Sequence, residues 1–507
     1  MSRELPDDAP WYSGISRYQW TVLIIASLGW VFDIFEGQIF VASSNDAMPS
    51  FIARELPDPV EPTGSLSAEE SAAWEQQLAD LKQERDGLKQ FYNNIAFAAF
   101  LLGGAFGGIV FGMLSDRIGR KKTMTLTIIF YSLFTCVSAF SVEWWHLAAL
   151  RFLVAMGVGG EWAVASALVF EEFPKRARAH VGGIFHASSV LGTYLAVAAT
   201  TLFIGNAEVK AWVTQQAMAW GITDPVLAES VAWRIGFALG AVPALLIIWI
   251  RSSLKEPEEW EQAKAAAASD ATRNVGRIGE LFQSELMRNT LVGFVLAAVG
   301  MATFWGVHVH GKEPMKQYGQ QVVATEHADW SAEEQSAAVK RWEMLGMFLV
   351  TTGGGLGLIG FGPISQRLGR RPAFLLYHLG GLLSAGVLFG WMLQSPETLT
   401  AGTLYWLLPV FGFLTLGMHA GYAIYFPELF PTRLRGTGSG FCFNGGRIAA
   451  APILFLSGWL QKGLTSDWLT IEPIGLAKSC LLLSSLYLVG VLILAQAPET
   501  RTREAHS

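Results

Sequence analysis

Long apolar runs alternate with short polar interruptions along this chain, and that alternation sets the architecture before any single motif does. Twelve runs stand out, at 18–43, 92–115, 122–141, 146–170, 179–204, 231–252, 287–310, 342–366, 372–394, 401–426, 436–460 and 474–497. Each reaches roughly the twenty residues that a helix needs to cross a hydrocarbon core of about 30 Å. The interruptions sort by charge. Arg117, Arg120, Lys121 and Lys122 follow run two, and Lys175, Arg176 and Arg178 follow run four. Arg367, Arg370 and Arg371 follow run eight, Arg433 and Arg435 run ten, and Arg501 and Arg503 run twelve. Short loops between them, such as SVEWWH at 141–146, carry no Lys or Arg. The positive-inside rule then places both termini in the cytoplasm, with Trp144 and Trp145 in an outer aromatic belt. The N-terminus MSRELPDDAPW is polar and acidic, so the first run is expected to act as its own insertion signal.

Composition agrees with a polytopic membrane protein. Hydrophobic residues make up 51% of the 507 and charged residues only 15%, against about 25% in soluble domains. The net charge of -6 sits in the loops and says little about partners. Cys136, Cys442 and Cys480 all lie inside apolar runs and read as small buried hydrophobes, not disulfides or metal ligands. Three outer connections are long, 46–91 and 311–341 among them. In the first, Trp74, Leu78, Leu81 and Leu88 form a short heptad-like stripe, which predicts an exposed amphipathic helix outside the bilayer.

Internal repeats divide the runs six and six. GMLSDRIGRKK starts at Gly112 and GPISQRLGRRP at Gly362; EEFPKRAR (171–178) and ELFPTRLR (428–435) share Glu-x-x-Pro-x-x-x-Arg. Both pairs follow equivalent runs. The chain therefore splits into a six-helix bundle at 1–252, a charged, alanine-rich central loop at 253–286, and a second bundle at 287–507. In the first repeat, Gly112 permits a close helix approach, and Asp116 can pair with a base or cap a helix N-terminus. Arg117, Gly119, Arg120 and Lys121 complete it, and Glu171 and Arg178 follow run four. The second copy supplies Gly362, Arg367, Gly369, Arg370, Glu428 and Arg435, but Gln366 stands where Asp116 stands in the first. A neutral second clasp should be the weaker one. Gly355-x-Gly357-x-x-Gly360 satisfies a dinucleotide fingerprint, yet it lies inside run eight with no strand before it, and reads as helix packing. Gly104-xxx-Gly108-xxx-Gly112 reads the same way.

Motif, repeat and run count together resemble the major facilitator superfamily over essentially the whole chain. That resemblance implies an all-α membrane protein of twelve transmembrane helices in two pseudo-symmetric six-helix bundles. Arg151 through Trp162 (RFLVAMGVGGEW) resembles the fourth-helix signature of sugar porters and organic-acid symporters, with Ala155 replacing a usual Gly. The terminal PETRTRE at 498–504 points the same way. FDIFEG resembles the Asp-Gly-x-Asp motif of aromatic-acid and sialate proton symporters: Asp33 matches the first acid, Ile34 replaces the Gly, and Glu36 replaces the second Asp.

Charges at bilayer depth are expensive and mark candidate sites. Asp33 lies about 21 Å from the cytoplasmic end of run one, and Arg151 about 8 Å from the outer end of run four, so the two are expected to pair. Such a pair resembles the one tied to proton coupling in sugar porters; a static ion pair is the alternative. Glu36, one turn on, is a second protonation candidate or a group that snorkels to outer water, and Glu161 is a relay, gating or packing group. Arg447, in Asn444-Gly-Gly-Arg447, is the only base deep in the second half and invites a substrate carboxylate. Gln38, His186, Trp305, His308 and Tyr422 complete the candidate substrate-binding set with Asn444, Trp305, one turn before His308, being placed to stack on a ring. His308 and His310 face different sides, a poor metal site, and no metal or other cofactor is expected beyond a coupling proton. No P-loop is present, which excludes ATP as the energy source. The sequence thus predicts a monomeric, multi-pass inner-membrane transporter, not an enzyme or a nucleic-acid binder, that takes up a small organic anion with a proton. A sugar:proton symporter, a drug or metabolite exporter and a non-transporting sensor stay open as alternatives.

Overall fold

The computed structural model describes residues 9–59, 67–204, 206–269, 275–466 and 469–501. Its first half contains α1 (Arg17–Glu55), α2 (Ala68–Ile118), α3 (Arg120–Ser138) and α4 (Trp144–Glu172). There follow α5 (Lys175–Phe203), a short α6 (Ala207–Ala219) and α7 (Pro225–Ile250). A linker helix, α8 (Glu258–Ser269), leads to α9 (Ser284–Gly306), α10 (Glu313–Glu326) and α11 (Ala332–Leu368). The second half closes with α12 (Arg370–Gln394), α13 (Ala401–Leu429), α14 (Arg435–Lys462) and α15 (Gly475–Leu494). A two-stranded hairpin, Leu464–Ser466 against Leu469–Ile471, sits between the last two.

Ten helical stretches among the described residues are long and apolar enough to cross a membrane. Two predicted runs fold as helices but fall short of that apolarity. They are α3, which opens on Arg120, Lys121 and Lys122 and interleaves Thr and Ser, and α14, which carries Asn444 and Arg447 in a glycine-rich first half. Ser16, Ser67 and Ser331 start α1, α2 and α11 with capping boxes closed by Gln19, Glu70 and Glu334. The breaks between α2 and α3 and between α11 and α12 fall at Gly119 (φ 111°) and Gly369 (φ 101°), a region that residues with a Cβ rarely adopt.

The long outer connection folds differently from the sequence expectation. The amphipathic segment is not a separate helix: it runs without a break into the second apolar run, making α2 a 51-residue rod of about 77 Å. Helix α1 likewise continues past its apolar run to Glu55. Arg85 ties the two extensions together through Asp58 (2.7 Å) and the Leu56 carbonyl, and the Tyr92 hydroxyl donates to Glu55 (2.7 Å). An outer cavity of about 1240 Å³, lined in part by Leu78, Leu81, Lys210 and Trp233, lies beside this stalk. Hydrophobic patterning misses a helical continuation whose residues are polar.

The halves meet chiefly through α2 against α14 and α5 against α11. The α2 glycine stripe is the seat of α14. A Cβ on Gly104 would meet Arg447 Nη1 at 3.0 Å, one on Gly108 would strike the Asn444 amide, and one on Gly112 would meet the Gly436 carbonyl at 2.6 Å. Gly357 and Gly360 lie inside α11 against Phe413, and Gly355 faces Val190.

Candidate functional site

The site has two parts, a clasp at the motif-bearing end of the bundle and a buried polar cluster deeper between the halves. In the clasp, the fully buried Asp116 carboxylate accepts from Arg120 Nη1 (2.7 Å) and also caps α14 of the other half. Gly436 N–H (3.0 Å), Thr437 N–H (2.8 Å) and the Thr437 hydroxyl (2.6 Å) all donate to it. Arg120 reaches on to Glu171 through Nη2 (2.6 Å) and Nε (3.0 Å), and Arg435 reaches the same glutamate (3.0 Å). Arg178 pairs with Glu259 (2.6 Å), Arg117 is exposed and donates to the Gly276 carbonyl (3.3 Å), and Lys121 N–H donates to Glu256 (3.2 Å).

The second copy is built alike, with Gln366 where the first has Asp116. Gly362 packs against the Ala179 carbonyl of α5, as Gly112 packs against α14. Arg370 pairs with Glu428 (2.7 Å), and Arg370 Nη1 donates to Gln366 (3.5 Å). Among the described residues no hydrogen bond joins Gln366 to α5. Exposed Arg367 offers its carbonyl to Arg501 (2.6 Å).

Sequence reasoning missed the acids that complete these clasps. Glu256 accepts from the backbone N–H groups of Arg120, Lys121 and Lys122, and Glu499 from those of Arg370, Arg371 and Arg501. The linker also docks, with Trp260 Nε1 donating to the Asp116 carbonyl (2.7 Å). The available signal was positional: EPEEW and PETRTRE each follow the last run of a half.

In the interior, the expected Asp33–Arg151 pair does not form. Arg151 Nη1 instead bonds both oxygens of Glu36 (2.8 Å each), both residues being buried, and its guanidinium lies over Phe40 and Phe100. The level of the helices explains it. Gln19 donates to the Glu172 carbonyl (2.7 Å), fixing where antiparallel α1 and α4 align. From that level Arg151 stands about 32 Å up α4, Glu36 about 26 Å up α1 and Asp33 only about 21 Å. Glu36, one turn nearer, closes the gap with its longer side chain.

Asp33 is 1% exposed, and neither carboxylate oxygen has a hydrogen-bond partner among the described residues. Glu161 lies one turn below it, its Oε1 against Gly29 and its Oε2 on the Thr127 hydroxyl. Arg447 of α14, in the other half, lies within electrostatic reach of Asp33, acting on it less strongly than Glu161 and Glu36 do. Arg447 itself lies 5.1 Å over the Phe443 ring and has no hydrogen-bonded or ion-paired acid among the described residues. Phe443 in turn stacks on Trp162 at 3.7 Å, and Trp162 Nε1 donates to His186 (3.2 Å). Asn444 donates across the seam to the Gly159 carbonyl (3.3 Å). An aromatic wall with one cation thus faces an uncompensated carboxyl, an arrangement suited to a planar anion.

Four other candidates sit elsewhere. Gln38 is exposed, about 200° round α1 from Glu36, and faces away from the cluster. The Tyr422 hydroxyl is taken by the Leu296 carbonyl (2.9 Å) in a fully buried packing position. His308 bonds Thr415 (2.7 Å) and stacks on Phe304, not on Trp305. Trp305 meets Phe97 of the other half edge-on, at 5.6 Å. Among the described residues no three His, Cys, Asp or Glu side chains are grouped to hold a metal ion.

Residues 87–453 match the Major Facilitator Superfamily. The chain is 28% identical over 401 residues to a Cupriavidus pinatubonensis protein described as "Probable 4-methylmuconolactone transporter", covering 78% of this chain and 79% of that one. It is 27% identical to the cis,cis-muconate transport protein of Acinetobacter baylyi, covering 72% and 77%. Its fold superposes on the proton:xylose symporter XylE with a TM-score of 0.60 at 15% identity, over 95% of this chain and 96% of that one. With two repeated helical halves, paired clasps and a polar cluster between them, the chain belongs to the Major Facilitator Superfamily and is a membrane transporter, not an enzyme.

Proposed function

We propose that this protein takes up a small carboxylate together with a proton, through twelve spanning helices whose termini are cytoplasmic, in a bacterial inner membrane. The observation that carries this reading is Arg447, a cation set between the halves with no acid bonded to it among the described residues, within electrostatic reach of the orphaned Asp33. A half-buried cation at this depth favours a compensating charge. Asp33 supplies it when deprotonated. Once Asp33 takes a proton, a substrate carboxylate replaces it at Arg447, so the proton and the anion travel together. Phe443, stacked on Trp162, backs the Arg447 guanidinium, whose planar fork suits a carboxylate. The named cargo of one relative, cis,cis-muconate, is a planar dicarboxylate. The Glu36–Arg151 pair holds α1 to α4 beside the proton site.

The test is uptake into proteoliposomes from a panel of labelled cis,cis-muconate, an aromatic acid, a sugar acid and xylose under an imposed pH gradient. The reading predicts accumulation of a carboxylate that collapses with an uncoupler and is lost in Arg447→Ala. Accumulation of xylose alone, indifferent to Arg447→Ala, would overturn it.

A further inference from the structure

One face of α3 carries three hydroxyls at helical spacing, Thr127, Tyr131 and Thr135, and the first and last of them contact buried acids of the first half. Thr135 Oγ1 is 3.4 Å from Glu36 Oε1 and 2.8 Å from the Tyr131 carbonyl. Thr127 Oγ1 contacts Glu161 Oε2 and lies 2.9 Å from the Met124 carbonyl. Between them the fully buried Tyr131 hydroxyl has no hydrogen-bond partner among the described residues, and the same holds for both oxygens of Asp33 and for Glu161 Oε1.

A threonine hydroxyl has one proton, and Thr127 has two acceptors in reach. If it donates to Met124, Glu161 must be protonated and donate to it; if Glu161 is charged, Thr127 turns and donates to Glu161. That hydroxyl rotor serves both protonation states of Glu161 without moving the backbone. Tyr131 lies within electrostatic reach of Asp33 and Glu36 on α1 and of Glu161 on α4. Arg151 of α4 is already held by Glu36, and Arg447 of α14 acts on Asp33. The other helices packed on α3 present Phe111 from α2 and Gly240 from α7.

We infer that α3 carries a proton path, Thr135–Tyr131–Thr127, which links Glu36, Asp33 and Glu161 within the first half, apart from the substrate's route between the halves. The inference deepens, and rests on, the symport reading. In the central step Asp33 gives its proton to Tyr131 Oη through intervening water, while the Tyr131 hydroxyl proton passes on, again through water, to Glu161. Tyrosine is neutral before and after, and the net change is one proton moved from Asp33 to Glu161. Tyr131 and Thr127 are positioning and relay residues; neither touches substrate.

The test uses the purified protein in nanodiscs, with a downward pH jump and the infrared band of protonated carboxyls as readout. The band that Glu161→Gln removes is assigned to Glu161. Tyr131→Phe and Thr127→Val should slow its rise at least about tenfold, while Thr127→Ser, which keeps the hydroxyl, should rise as wild type does. An unchanged rise in Tyr131→Phe and Thr127→Val would overturn the path, as would the absence of any band lost in Glu161→Gln. Because no substrate is added, a wild type that accumulates no carboxylate under a pH gradient removes the symport reading and leaves this result standing.

Discussion

Replacing Asp116 by Ala should open the motif-bearing seam. The carboxylate is fully buried and takes four hydrogen bonds, three of them from α14 of the opposite half. Its loss uncaps that helix and strips Arg120 of one of its two acids. Arg120 belongs to the same half as Asp116, so only the three bonds to α14 distinguish the closed state; at about 1–1.5 kcal/mol each, the closed state should lose roughly 10²–10³-fold in population. Spin labels at exposed Lys122 and Arg371, one in each half, report the seam by pulsed electron resonance once Cys136, Cys442 and Cys480 are replaced. The parent should show mainly the short distance and Asp116→Ala mainly the long one. Gln366→Ala removes an amide whose hydrogen bond among the described residues is to Arg370, at 3.5 Å, and should shift the distribution little. An unchanged distribution in Asp116→Ala, or equal opening by Gln366→Ala, would refute the reasoning.

Other substitutions separate structural from functional charges. Glu36→Gln leaves the Arg151 guanidinium buried without its counter-charge and should lower thermal stability by about 3–5 kcal/mol, read as a drop in Tm; Asp33→Asn, which breaks no hydrogen bond, should leave Tm within a degree or two. Arg447→Lys keeps the charge but not the fork, and should weaken cis,cis-muconate binding about tenfold or more in a scintillation proximity assay. Trp162→Ala deletes the stack on Phe443 and the bond to His186 and removes a fully buried indole, and should cost about 3–5 kcal/mol in a denaturation assay.

Much of this was legible in the chain because repeated motifs and apolar runs are local signals. The two Gly-led motifs located both clasps, and the lone deep Arg447 located the interior cation. Pairing was not legible at one-turn resolution. Asp33 and Glu36 differ by about 4.5 Å in depth, less than the error in guessing where α1 and α4 begin. The continuity of α2 was hidden because its outer stretch is polar, and the docking of Glu256, Glu259 and Trp260 because long-range partners leave no periodic trace. His308 and Tyr422 looked like cavity groups only because a sequence does not reveal that Thr415 and the Leu296 carbonyl already occupy them.

The central claim is that Asp33 exchanges its charge at Arg447 with a substrate carboxylate. Proteoliposomes holding wild type or Asp33→Asn, supplied with labelled cis,cis-muconate, test it in two modes: accumulation driven by a pH gradient, and exchange at equal pH. The account predicts that Asp33→Asn loses accumulation and keeps exchange. Accumulation by Asp33→Asn to the wild-type level would contradict it.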